Sequence, residues 1–212
     1  MYKLYWSPGS ANMTPHALLE EIGAPFELIE VDLDAGKQHN PDYLKLNPHA
    51  RVPTLIYGGG HAMYEAAAIS LFLLERHPEL GLAPLPGDPR RARFLQWMVY
   101  LTNTLQEALM HYWHADNFIP GVERQADLKQ AAEQRVWRMF SFLDGELAAR
   151  GPFLCGDRLT LCDYYLVMIA RWTRLMAKPA HTLPHINKLV RAVMERPGYA
   201  RMLKAEGIEQ PA

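Results

Sequence analysis

The chain has 212 residues, 49% of them hydrophobic and 21% charged, which is typical of a folded protein with a well-buried core. Its 22 Lys and Arg residues nearly balance its 23 Asp and Glu residues, so the basic excess of most nucleic-acid-binding proteins is missing and that class of function is disfavoured. The longest apolar run, residues 66–74, is much shorter than the roughly 20 residues that span a bilayer, and no membrane association is expected.

Residues 1–78 alternate between strand and helix patterns. Runs of β-prone or alternating residues predict strands, and apolar spacings of three and four predict helices between them. The strands are expected at 2–6, 26–32, 52–57 and 61–64, and the helices at 15–23, 42–46 and 65–77. This order, β-α-β-α-β-β-α, predicts an α/β layer around a mixed sheet.

Residues 79–90 are rich in proline and glycine and predict a linker between two domains. Every pattern after the linker is helical, so residues 91–212 are expected to form an all-helical domain. The clearest local signal is at Thr160, which stands with Asp163 at the N-cap and N3 positions of a capping box.

The cysteine content and the amino terminus bear on the compartment. Cys155 and Cys162 form neither a C-x-x-C pair nor a framework of bridges. The chain starts directly with strand-like sequence and has no secretory signal pattern. These features predict a reduced, cytoplasmic protein.

Two positions in the first domain have features of a ligand site. Val52-Pro53 precedes a strand, where a cis peptide bond would turn the Val52 backbone toward a ligand; a trans proline that merely opens the strand is the alternative. Glu65 lies at the start of a helix, beside unpaired N–H groups that attract anions. A ligand that carries both an ammonium and a carboxylate would suit this position, and the alternative is that Glu65 caps its own helix.

These features, in this order, resemble the cytosolic glutathione S-transferases over nearly the whole chain. Residues 46–55, LNPHARVPTL, are similar to the family's Asn-Pro…Val-Pro-x-Leu segment. Residues 153–166, FLCGDRLTLCDYYL, are similar to its second-domain motif. The resemblance implies a thioredoxin-like α/β amino-terminal domain (βαβαββα), an all-α carboxy-terminal domain, glutathione as co-substrate, no metal, and a homodimer.

The resemblance also implies a set of glutathione-binding residues. Val52, next to cis-Pro53, would pair its backbone with the cysteinyl part, while Glu65 and the N–H of Ala66 would hold the γ-glutamyl end. Family members usually have Ser or Thr where this chain has Ala66, so one hydroxyl contact is lost. Further binding residues are expected on the loops, where Lys37, Gln38 and His39 could reach the glycyl carboxylate and Arg51 completes the set.

The first loop lies in residues 5–16, YWSPGSANMTPH, and resembles that of the bacterial beta-type enzymes. Ala11 takes the place of their cysteine and Asn12 that of the following serine, which disfavours chemistry through a mixed disulfide. Asn12 and then Ser10 are therefore predicted to stabilise the glutathione thiolate by hydrogen bonds. The alternative is that both are ordinary turn residues.

The second substrate is expected against the long helix at 91–115. The non-core face and aromatic end of this helix would suit a small apolar electrophile, and packing is the alternative role for each residue. The predicted pocket residues are Gln96, Tyr100, Asn103, Tyr112 and Trp113.

The leading functional hypothesis is transfer of the glutathione thiolate to small hydrophobic electrophiles. Glutathione-dependent peroxide reduction or isomerisation on the same site is one alternative. A binding or regulatory protein with little catalysis is the other, and Ala11 and Ala66 favour it.

Overall fold

A four-stranded mixed sheet forms the centre of the first part of the chain in the computed structural model, which describes residues 1–208. Its strands are β1 (Tyr2–Trp6), β2 (Phe26–Glu30), β3 (Thr54–Tyr57) and β4 (His61–Tyr64). They lie in the order β2-β1-β3-β4, with β2 parallel to β1 and the other two pairs antiparallel. The predicted thioredoxin-like βαβαββα arrangement is confirmed.

In the described part of the chain, nine α-helices and one π-helical segment accompany the sheet or follow it. In the first part they are α1 (Met13–Ile22), α2 (Pro41–Leu44) and α3 (Ala66–Arg76). The others are α4 (Arg91–Val99), a π-helical segment (Tyr100–Gln106), α5 (Glu107–Trp113), α6 (Val122–Arg150), α7 (Leu161–Arg171), α8 (Pro184–Met194) and α9 (Pro197–Ala205). Several short 3-10 turns join these elements. Within residues 1–208, no helix is both long and apolar enough to cross a membrane.

The chain packs as two compact units whose limits differ from the predicted domains. Among the described residues, the first unit comprises Met1–Ala83 and residues 194–208, and the second comprises Pro84–Val193. Helix α9 therefore belongs to the first unit, although the sequence placed it in the domain 91–212. The reason is close packing of α9 on α1: a Cβ at Gly198 would lie 2.6 Å from Glu21 Cγ, so glycine permits this approach.

The second unit is built around α7, in which every residue from Leu161 to Ala170 is buried. The capping box predicted at its start is confirmed. Asp163 accepts the N–H of Thr160 at 2.7 Å with one carboxylate oxygen and the N–H of Leu154 at 2.9 Å with the other. Burial raises the pKa of Asp163 to about 6.

Candidate active site

The loop between β1 and α1, residues 7–12, is held by hydrogen bonds among its own residues and to Glu206. Gly9 has a φ of 66°, in the region that favours glycine, and it allows the chain to turn into α1. The Ser10 hydroxyl donates to the Ser7 carbonyl at 2.9 Å and also contacts the side-chain oxygen of Asn12. Ser10 and Ala11 are half-buried. In this structure the Ser10 hydroxyl is therefore directed into its own loop.

Asn12, the first-ranked residue of the predicted thiolate site, is fully buried. Its Oδ1 accepts the N–H of Ser7 at 2.9 Å, and its Nδ2 donates to Glu206 Oε1 at 2.8 Å. An amide that is buried and engaged on both sides does not face a ligand. The geometry does not support a direct contact between Asn12 and a thiolate.

His16 and Glu206 join this network, and sequence reasoning missed both. Nδ1 of His16 lies 2.7 Å from Glu206 Oε1, and the N–H of Gly9 donates to Glu206 Oε2 at 2.9 Å. Both side chains are buried, and the rings of Trp6 and Phe26 flank the imidazole. No local signal could reveal the pair, because 190 residues separate its members.

The loop before β3 is held by two donors on a single carbonyl. The Tyr43 hydroxyl at 2.6 Å and the Asn47 amide at 2.8 Å both donate to the carbonyl oxygen of Arg51. The next peptide bond, Val52–Pro53, is cis, as the resemblance implies. Burial raises the pKa of Tyr43, which keeps its hydroxyl a donor. The loop therefore fixes the half-buried Val52, while the side chain of Arg51 is exposed.

Glu65 has the most unusual backbone conformation near this loop. Its φ is 73° and its ψ is 105° at the N-cap of α3, and its exposed side chain makes no capping hydrogen bond. The alternative that Glu65 caps its own helix is therefore not what the structure shows. Glu65 and Ala50 are the non-glycine residues with positive φ within residues 1–208, and they flank the cis peptide in sequence. Such conformations cost roughly 1–3 kcal/mol and cluster at functional sites.

Lys37 and His39 lie on an exposed single turn, Lys37–His39. Lys37, Tyr5 and Tyr43 line a cavity of about 210 Å³, together with Glu30, Val31, Asn40, Asp42 and Leu46. Tyr43 therefore connects this cavity with the Arg51 carbonyl. Lys37 therefore lines the same cavity as Tyr43, which holds the loop before cis-Pro53. His39 does not line this cavity.

Comparison with known proteins decides the family. Residues 1–75 match the family model for the glutathione S-transferase N-terminal domain, and residues 100–197 match that for the C-terminal domain. The chain belongs to the glutathione S-transferase family. It is 27% identical to glutathione S-transferase GstA of Escherichia coli O157:H7 over 208 residues, which is 98% of this chain and 100% of the relative.

Two solved glutathione transferase structures are similar to this chain. One is a glutathione transferase homologue from Sulfitobacter with bound glutathione, with a TM-score of 0.89 and 25% identity over 98% of this chain and 99% of that one. The other is a glutathione transferase from Methylococcus capsulatus, with a TM-score of 0.86 and 31% identity over 98% and 100% of the two chains.

The residues predicted to line the electrophile pocket of this glutathione S-transferase family member lie on the second unit in different environments. Gln96 and Asn103 are exposed, and Tyr100 packs against neighbouring rings. Tyr112 donates to the Leu175 carbonyl at 3.3 Å, and Trp113 donates to that of Trp172 at 3.0 Å. The polar atoms of these last two rings are thus used in packing, which is the alternative role that the sequence left open.

A π-helical segment at Tyr100–Gln106 interrupts the predicted long helix, and sequence reasoning missed it. At its end, Gln106 Oε1 accepts the Tyr165 hydroxyl at 2.5 Å. Such segments recur at functional sites, because one extra residue redirects the side chains around it. Within residues 1–208, no cluster of three or more His, Cys, Asp or Glu side chains is arranged to hold a metal ion.

Proposed function

We propose that this chain binds reduced glutathione on its first unit and adds the thiolate to small hydrophobic electrophiles. Glu65 carries the proposal. Its exposed carboxylate is held in a costly backbone conformation at the start of α3 and makes no capping bond there. A ligand ammonium would neutralise this carboxylate, and a ligand carboxylate would suit the N-terminus of the helix. The γ-glutamyl end of glutathione carries both groups.

The other proposed contacts hold the cysteinyl and glycyl parts of glutathione and the carboxylate of its γ-glutamyl end. The backbone of Val52, beside cis-Pro53, would pair with the cysteinyl part, and the N–H of Ala66 would hold the γ-glutamyl carboxylate. Lys37 would face the glycyl carboxylate, with His39 and Arg51 as further exposed cationic or polar partners. The Sulfitobacter homologue, whose structure contains bound glutathione, has the same fold and so supports this placement.

Activation of the thiol needs donors, because a free thiol has a pKa of roughly 8.5 and is mostly protonated at neutral pH. Ala11 excludes a mixed disulfide at this position. With the Asn12 amide engaged by Glu206, the donor that we propose is the Ser10 hydroxyl, next to the positive end of the α1 dipole. Ser10 would turn from the Ser7 carbonyl toward the thiolate, and the thiol proton would leave to water. Each unit by which the pKa falls requires about 1.4 kcal/mol, which is within reach of one hydrogen bond to an anion.

A second candidate is a glutathione-binding protein with little catalysis. The internal use of both Asn12 and Ser10 favours it, because neither side chain is free to stabilise a thiolate in this structure. Calorimetry with reduced glutathione tests binding for both candidates. Conjugation of chlorodinitrobenzene and the ultraviolet thiolate band of the complex then separate them. Binding with a thiolate band and turnover supports the transferase, whereas binding without either supports the second candidate.

We also propose that the protein is a cytoplasmic homodimer. Leu95 and Val99 on α4 and Phe142 on α6 are large apolar side chains of the second unit that are about half-exposed, between 45% and 58%. A second copy of the chain would cover them. The substitution Val99→Glu should shift sedimentation toward a monomer, whereas Gln96→Glu, at an exposed polar residue of the same helix, should not.

The cytoplasmic location is supported by the two cysteines, Cys155 and Cys162, which are free and buried and so compatible with a reducing compartment. Fractionation of cells would check it.

A further inference from the structure

The carboxylate of Glu206, next to the end of α9, holds the first loop from the other end of the chain. Its Oε2 accepts the N–H of Gly9 at 2.9 Å. Its Oε1 accepts Nδ2 of Asn12 at 2.8 Å and lies 2.7 Å from Nδ1 of His16. Glu206 is only 5% exposed, and the side chains of Asn12 and His16 are fully buried. We call this arrangement the Glu206 clamp.

The clamp reaches the predicted thiol site through Asn12. While Nδ2 of Asn12 is bound to Glu206, its Oδ1 accepts the N–H of Ser7 and contacts the Ser10 hydroxyl. Glu206 therefore fixes one end of the loop through Gly9 and the other end through Asn12. Ser10 lies between these two points.

We propose that Glu206 is a positioning residue for thiol transfer, which holds the backbone of residues 7–12 in the shape from which the Ser10 hydroxyl can turn to the thiolate. This inference rests on the proposed function. It assigns a task to α9, which reaches α1 closely because of Gly198 and so brings Glu206 to the loop. Glu206 touches no substrate in this role and acts through Asn12 and Gly9.

Replacement of Glu206 by glutamine tests the role with almost no change in size. The carboxylate accepts on both oxygens, whereas an amide has one oxygen and one nitrogen that can only donate. If the nitrogen of the new glutamine amide faces Gly9, it meets the Gly9 N–H, and both groups are donors. If it faces Asn12, it meets the Asn12 Nδ2, which is also a donor. Glu206→Gln must therefore release one end of the loop.

The experiment compares Glu206→Gln with Arg201→Ala in the full-length chain. Arg201 also joins α9 to α1, through an exposed ion pair with Glu20 at 2.7 Å, but it does not reach the loop. Hydrogen exchange of the peptide that covers residues 7–12 is measured first, without ligand. Glutathione affinity and the kcat and KM for conjugation follow.

We expect faster exchange at residues 7–12 in Glu206→Gln, with kcat reduced roughly tenfold and the glutathione KM changed less than threefold, because the affected step is thiolate stabilisation. Arg201→Ala should match the unmodified protein in both readouts. His16→Phe is the second variant: it removes one donor to Glu206 and keeps a ring between Trp6 and Phe26. His16→Phe should show the same changes in hydrogen exchange and kcat, but smaller ones. It serves as the test variant if Glu206→Gln does not fold.

Several outcomes would overturn the inference. Unchanged exchange at residues 7–12 would show that Glu206 does not hold the loop. Faster exchange with unaltered kcat would show that the clamp has no effect on transfer. An equal loss of activity in Arg201→Ala would assign the effect to docking of α9 in general. Failure of the unmodified protein to bind glutathione would instead count against the proposed function, and the exchange data would still decide whether the clamp holds the loop.

Discussion

Asn12→Ala should destabilise the first unit, because the structure makes Asn12 an internal connector. The substitution leaves the buried N–H of Ser7 without its acceptor and removes a donor from the Glu206 carboxylate. An unsatisfied buried donor costs about 1–3 kcal/mol, and a hydrogen bond to a charged group contributes about 1.5–3 kcal/mol. Gly9 and His16 still satisfy Glu206, which reduces the second contribution. We expect a total loss of about 3 kcal/mol in the free energy of unfolding.

Urea denaturation measures this loss. With an m-value of about 2 kcal/mol per molar urea, a loss of about 3 kcal/mol lowers the midpoint by about 1.5 M. Asn40→Ala is the matched control, since Asn40 also accepts one backbone N–H, that of Asp42 at 2.9 Å, but is exposed to water. Its loss should stay near 1 kcal/mol or below. Equal midpoints for the two variants, combined with lost turnover in Asn12→Ala alone, would refute the structural role and restore Asn12 as a direct thiolate donor.

Two further predictions concern Glu65 and Asp163. Glu65→Gly should weaken glutathione binding at least tenfold by calorimetry and raise the free energy of unfolding by about 1 kcal/mol, because glycine accepts the φ of 73° without strain; unchanged affinity would remove Glu65 from the site. Asp163 has a folded-state pKa of about 6, raised by burial from 3.8, so the folded chain binds this proton more tightly than the unfolded chain does. The free energy of unfolding should therefore fall by on the order of 3 kcal/mol, relative to Asp163→Asn, as the pH rises from 3.8 to 6. A constant difference between the two proteins over this range would contradict the raised pKa.

Local sequence patterns predicted those features of the structure that are formed by residues close together in sequence. The capping box at Thr160 and Asp163 spans four positions, and its geometry follows from one helix start. Two further features also depend on short segments: the cis peptide bond before Pro53 and the position of Glu65 at the start of α3. Both were predicted because these segments follow one another in the same order as in the glutathione S-transferases.

Long-range packing explains what the sequence did not reveal. Asn12 is a polar residue in a turn, and its pattern is the same whether its amide faces a ligand or Glu206. Only the docking of α9 on α1, through Gly198, brings the carboxylate to it. The π-helical segment at Tyr100–Gln106 was missed for a different reason, since apolar spacings of three and four continue across one extra residue.

A crystal structure with reduced glutathione tests the central claim most directly. We expect the γ-glutamyl group at the start of α3, with its ammonium on Glu65, and the cysteinyl backbone paired with Val52. We also expect the Asn12 amide to remain on Glu206 while the Ser10 hydroxyl turns toward the sulfur. Glutathione bound away from α3, or no bound glutathione at millimolar concentration, would contradict the proposed binding site.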